Sequence, residues 1–190
     1  MPTGLVGDMR DARILAWLLA DPSRVAQLRP DQMVCVRQIA AVEGLEAVLA
    51  AQLAGCDADL ATDDAVADLC RTAAALFGAG DLDRGLFHLW QIHSLIVQGQ
   101  PQAGFWPAVQ AEARRQAVTA YVSRALRLCH HLFETPVDAY LAWQGQRGDI
   151  FFLGRLLARN GRGEETARVL RAAFKCRARW LAHLAGARRA

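Results

Sequence analysis

Histidine, cysteine and aspartate are the side chains through which this chain could do chemistry, and their spacing limits that chemistry. His88 and His93 stand five apart. On a helix that separates them by about 140°, so the two cannot grip one metal ion from a single helix. His88 falls in a polar seam. His93 falls in the row Leu86–Trp90–Val97 and is the candidate buried polar site. A buried, hydrogen-bonded structural histidine is expected there rather than a ligand. Cys129-His130-His131 sets three ligand types side by side. Adjacent side chains on a helix diverge, with Cys129 inward and His131 toward Arg124 and Arg127, so a zinc or haem site would need partners such as Cys70 or His93. The Glu-x-x-His pair of carboxylate diiron bundles is absent. No cofactor and no metal are therefore expected, and a small-molecule, haem or metal site between helices around His93 is the third reading of function.

The charged residues are distributed by position. Asp57, Asp59, Asp63, Asp64 and Asp68 gather in one region. Asp63-Asp64 with Asp68 resembles the aspartate-rich magnesium motifs of prenyl-transferring enzymes, which would imply aspartates projecting from a helix into a large pocket. No second such motif is present and the chain is short for that fold. N-capping of a helix accounts for Asp63 and Asp64, and the cluster is expected to form an acidic contact patch. Residues 155–190 hold ten of the 22 basic residues and two of the 19 acids, so they carry +8 and the remainder carries −5 of the net +3. Arg168, Arg171, Lys175 and Arg179 fall at i, i+3, i+7 and i+11, one face of a helix over three turns. Arg155 and Arg159 share a face of the preceding helix. Such a stripe could grip phosphates or an acidic partner, or could be a solvated outer face. No aromatics interleave with these charges as in single-strand binders. A nucleophile–histidine–acid set, a phosphate loop and a dinucleotide fingerprint are all missing from the sequence.

These residues must be positioned by helices. The chain has 190 residues, 53% of them apolar, with only six Pro. No useful β-alternation occurs, and the periodicity predicts an all-α fold of eight or nine helices packed as antiparallel hairpins. The arrangement is either an irregular bundle or a short α-solenoid-like array. Helices are predicted over 8–20, 23–28, 31–54, from 62–64 to 77, 81–98, 107–133, 135–143, 149–160 and 164–184. The 81–98 helix is apolar on almost every side. Six large apolar residues there give about 10–15 kcal/mol of gross burial energy, so the other helices are expected to wrap around it. Gly99–Gly104 separates an N-terminal lobe, 1–98, from a C-terminal lobe, 105–190, within one compact domain. The first dozen residues lack a signal-peptide layout, and no apolar run approaches the length of a membrane span. The five cysteines are scattered and never spaced C-x-x-C. A cytoplasmic protein that does not engage a membrane is expected.

Two helix pairs, Asp63–Gln98 and Asp149–Leu184, correspond at an offset of 81, with Gly80 and Gly161 in matching turns. Their turn phrases, LFGAGDLDRGL and LLARNGRGEETA, resemble the turn of a tetratricopeptide repeat. Gly85 and Thr166 occupy that family's usual alanine position. The offset is not a multiple of the family's 34-residue period. The resemblance covers about 70 residues and implies a scaffold that binds peptides or proteins without catalysis. The leading expectation is accordingly a non-enzymatic interaction module or adaptor, whose partner is another protein or a second copy. Binding of nucleic acid or another polyanion through Arg155, Arg159, Arg168, Arg171, Lys175 and Arg179 is the alternative.

Overall fold

The computed structural model describes residues 4–56, 64–78, 82–143 and 148–158. Among them are nine α-helices, one 3₁₀-helix and no strand, so the fold is all-α. In chain order they are α1 (Gly4–Ala20), the 3₁₀-helix Pro22–Gln27, α2 (Pro30–Glu43), α3 (Glu46–Leu53) and α4 (Ala65–Gly78). There follow α5 (Gly85–Gly99), α6 (Phe105–Arg115), α7 (Thr119–Phe133), α8 (Ala139–Ala142) and α9 (Asp149–Leu156).

Local chemistry sets most of these ends. Asp21 accepts the Ser23 N–H at 3.1 Å and Pro22 opens the 3₁₀-helix. Asp64 Oδ1 accepts the Ala67 N–H at 3.0 Å, which makes it the N-cap of α4. Gly55, at φ 72°, follows the end of α3 as a left-handed stop.

Both long helices of the sequence reading are broken. The 31–54 helix divides at Gly44, where φ is 74° and the Leu45 N–H donates to Ala40 O at 2.7 Å. Glycine is required here twice over. A Cβ would sit strained at that φ and 1.7 Å from Nη2 of Arg84. The 107–133 helix divides at Gln116–Val118, with Ala117 at φ 58° and the Val118 N–H donating to Ala113 O at 2.8 Å. Unbroken, residues 105–133 would run about 44 Å, longer than a small domain is wide. The break lets Val109 and Ala113 of α6 enter the same core as Val122, Ala125 and Leu126 of α7.

The apolar helix begins at Gly85, since Leu82 and Arg84 adopt positive φ (55° and 46°); Asp81, expected as its start, lies outside the described residues. Its cap comes from elsewhere in the chain. Glu43, 1% exposed at the end of α2, accepts the Leu86 N–H through Oε2 at 3.1 Å. Arg84 Nε donates to Glu43 O at 3.3 Å and fastens the same junction. A buried carboxylate on a helix N-terminus gains from both the hydrogen bond and the helix dipole. Glu43→Ala is expected to cost about 2 kcal/mol. Urea unfolding would read this as a lower midpoint at unchanged slope. An unaltered midpoint would show that the cap contributes nothing.

Helix α5 is buried on most sides through Leu86, Leu89, Trp90, Ile92, Leu95 and Ile96, although Val97 is exposed. It packs against α2, α4 and α7. The helix that meets most others is α7, which packs against α1, α4, α5, α6, α8 and α9. One hydrophobic core runs across the Gly99–Gly104 turn, from α1 and α2 through α4 and α5 to α6, α7 and α9. At that turn Phe105 seats its ring 2.3 Å from where a Gly99 Cβ would lie. The α4–α5 hairpin is present as predicted. The second arm of its proposed echo lies outside the described residues.

Candidate functional site

Where α6 begins, α7 ends and α8 follows, the surface opens into two adjoining clefts. Gly104, at φ 87°, turns the chain into α6. Phe105 therefore enters the core while Trp106, its ring 5.1 Å away, stands at the surface side. Glu134, at φ 57°, ends α7. Asp138 then starts α8, accepting the Leu141 N–H through Oδ1 at 2.8 Å. The sequence reading opened this helix at Thr135-Pro136. It opens later because Thr135 is turned inward and Asp138 supplies the cap. Helix α8 buries Leu141 and Ala142 and turns Tyr140 and Trp143 outward, 67% and 54% exposed.

The larger cleft, of about 370 Å³, lies between Trp106 and Trp143. His130, Gln100, Pro136, Val137 and Ala139 complete it. The smaller, of about 140 Å³, is lined by Trp106 as well, with Pro107, Gln110, Asp138, Tyr140 and Leu141. One tryptophan is thus common to two hollows, each rimmed by an exposed aromatic ring.

Behind the larger cleft two histidines meet on one threonine. Thr135 is fully buried. Its Oγ1 lies 2.8 Å from His93 Nδ1, and its carbonyl lies 3.0 Å from His130 Nδ1. A carbonyl can only accept, so His130 donates to it from Nδ1, and in the Nδ1–H tautomer Nε2 is the acceptor nitrogen. His93 packs on Trp90 and Phe133, with ring centroids 4.7 and 5.4 Å away. Burial pulls its pKa down to about 4, so it is neutral at physiological pH. Cys129 is buried beside it, donating to Leu89 O at 3.3 Å, and burial pushes its thiol well above the ordinary range. Such a thiol is inert as a nucleophile or ligand.

Those of the residues singled out in the sequence that are described, Asp64, Asp68, His93 and Arg155, do not form one site. His93 is spoken for by Thr135. Asp64 is a helix cap, and Asp68 pairs with Arg71 at 2.5 Å. Asp57, Asp59 and Asp63 lie outside the described residues. Among the described residues no three His, Cys, Asp or Glu side chains gather where they could share a metal ion. Arg155, expected on an accessible basic face, is 3% exposed. It sits at i+3 from Phe152 and beside Leu156, on the buried face of α9. Arg159, Arg168, Arg171, Lys175 and Arg179 lie outside the described residues. Among the described residues no helix is long and apolar enough to cross a membrane.

The cleft residues Trp106, His130, Thr135, Tyr140 and Trp143 were not picked out as a site from the sequence. The available signal was Tyr140 and Trp143, three apart in a short helix too small to bury both. No protein-family model matches the chain, and neither a curated protein nor a solved structure shows significant similarity to it.

Proposed function

We propose that this protein is a helical interaction module that holds a short segment of a partner protein across the two clefts beside Trp106. The carrying observation is the pair of hollows sharing Trp106 and rimmed by exposed Trp143 and Tyr140. Tryptophan and tyrosine dominate binding hot spots because each buries a large rigid surface and keeps a polar tip for hydrogen bonding. Rows of such rings are also how surface grooves hold extended peptides. The larger cleft offers one imidazole and one amide among its lining groups, with neither a carboxylate nor a nucleophile. That lining supports binding rather than turnover. The thiols of Cys35, Cys56, Cys70 and Cys129 are free, which supports a reducing, cytoplasmic setting.

The test is selection from a random-peptide display library on the wild-type chain, with Trp143→Ala and Tyr140→Ala as counter-targets. Both rings are more exposed than buried, so the variants are expected to stay folded. A shared motif should be enriched on the wild type, and its peptides should bind the variants roughly tenfold or more weakly, as truncating a hot-spot ring does. Failure to enrich any motif, or equal retention by both variants, overturns the reading.

A further inference from the structure

The chemistry of the clefts narrows the partner further, and this step rests on the clefts being the binding face. We infer that they receive an arginine side chain of the partner segment. Trp106, Trp143 and Tyr140 bring aromatic rings to the two hollows. A guanidinium stacks on such rings and is more weakly hydrated than an ammonium, so it gives up water more readily.

The polar groups present are suited to a donor. His130 Nδ1 is committed to the Thr135 carbonyl, and in that Nδ1–H tautomer Nε2 is the ring nitrogen that can accept. The Gln100 amide adds an acceptor oxygen to the same cleft. Asp138 places a carboxylate in the smaller one, with Oδ1 already engaged by the Leu141 N–H. Among the described residues no lysine or arginine lines either cleft. The carboxylate that the described lining does hold, Asp138 in the smaller cleft, favours a cation over an acidic or phosphorylated segment. A guanidinium, with five donors in a plane, can stack and hydrogen-bond at once, whereas an ammonium offers a compact, strongly hydrated charge. The chain makes the same contact internally, with Arg24 over Trp17 at 4.8 Å and Arg124 over Phe152 at 4.2 Å.

The experiment measures fluorescence anisotropy of labelled (Gly-Ser-Xaa)-repeat peptides on the full chain, with Xaa as arginine, lysine, citrulline or leucine. Citrulline keeps the shape of arginine and removes its charge. Arginine is expected to bind roughly tenfold more tightly than citrulline and several-fold more tightly than lysine. His130→Phe keeps an aromatic ring, removes the acceptor and should weaken the arginine peptide several-fold. Trp143→Ala should do so as well. Equal binding of lysine and arginine, or arginine binding that neither variant changes, overturns the inference as mere charge attraction. Preference for leucine or citrulline that depends on Trp143 also overturns it but leaves the peptide-binding cleft standing. If neither these peptides nor display-selected ones depend on Trp143, both readings fall.

Discussion

Asp149→Ala is expected to lower stability by about 3 kcal/mol and to release α9 from the bundle. The carboxylate of Asp149 opens α9 and accepts from two arginines of α7. Arg127 donates to it through Nε and through Nη2, the latter at 3.0 Å, and Arg124 donates at 3.3 Å. Arg127 also donates to Ala142 O at 2.5 Å, so one guanidinium ties α7, α8 and α9 together. The Arg127 side chain is 5% exposed and Asp149 is 23% exposed. Removing one partner of a buried pair costs about 3–5 kcal/mol, because the remaining charge stays desolvated. The partial exposure of Asp149 places this case at the lower end. Burial already pulls the Arg124 guanidinium below its ordinary pKa, and Asp149 is what opposes that pull. Arg127→Met should cost less, since Arg124 still faces the carboxylate. Chemical denaturation gives the stability change, and amide exchange within Asp149–Leu156 gives the local one. A loss under about 1 kcal/mol would mean that solvent already screens the cluster.

The second large effect is a fall in stability between pH 6.5 and pH 4 that belongs to His93. In the unfolded chain its ring titrates near 6.5, and in the fold burial lowers that to about 4. Inside this window the unfolded state binds the proton and the folded state does not. Stability is therefore complete above about 6.5 and is lost as pH falls toward 4. The full difference amounts to about 3 kcal/mol. His93→Gln should flatten the wild-type slope in that window, read as the difference between the two curves of unfolding free energy against pH. Glu112, held near 2 by its hydrogen bonds from Arg115 and Gln116, loses its contribution mainly below the window. Parallel curves for wild type and variant would contradict the assignment.

The fold class was legible in the sequence because helical periodicity records burial, and burial is what builds this core. The caps at Asp21 and Asp64 were legible because they are local. The breaks at Gly44 and Ala117 were less so. Gly44 is required by Arg84, forty residues away, and Ala117 carries no marker of a left-handed turn. The apolar helix was read correctly as buried, but its start was misplaced because its cap is Glu43. The hub proved to be α7, whose mixed surface hides how many neighbours it serves. The same limit applies to the cleft. Trp106, His130, Tyr140 and Trp143 come from three helices, and only their packing brings them to one face. Thr135 looked like a helix cap, and its hydroxyl is instead used by His93. Arg155 looked like part of a charged stripe, and the register of α9 buries it.

The central claim is that a partner segment lies across the hollows that share Trp106. Its most direct test is the set of tryptophan indole N–H signals in a nitrogen-15 correlation spectrum, recorded while a display-selected peptide is titrated into the full chain. The signals of Trp106 and Trp143 should move with peptide concentration, and that of Trp17, which lines neither cleft, should stay in place. Silent Trp106 and Trp143 signals at saturating peptide would contradict the account.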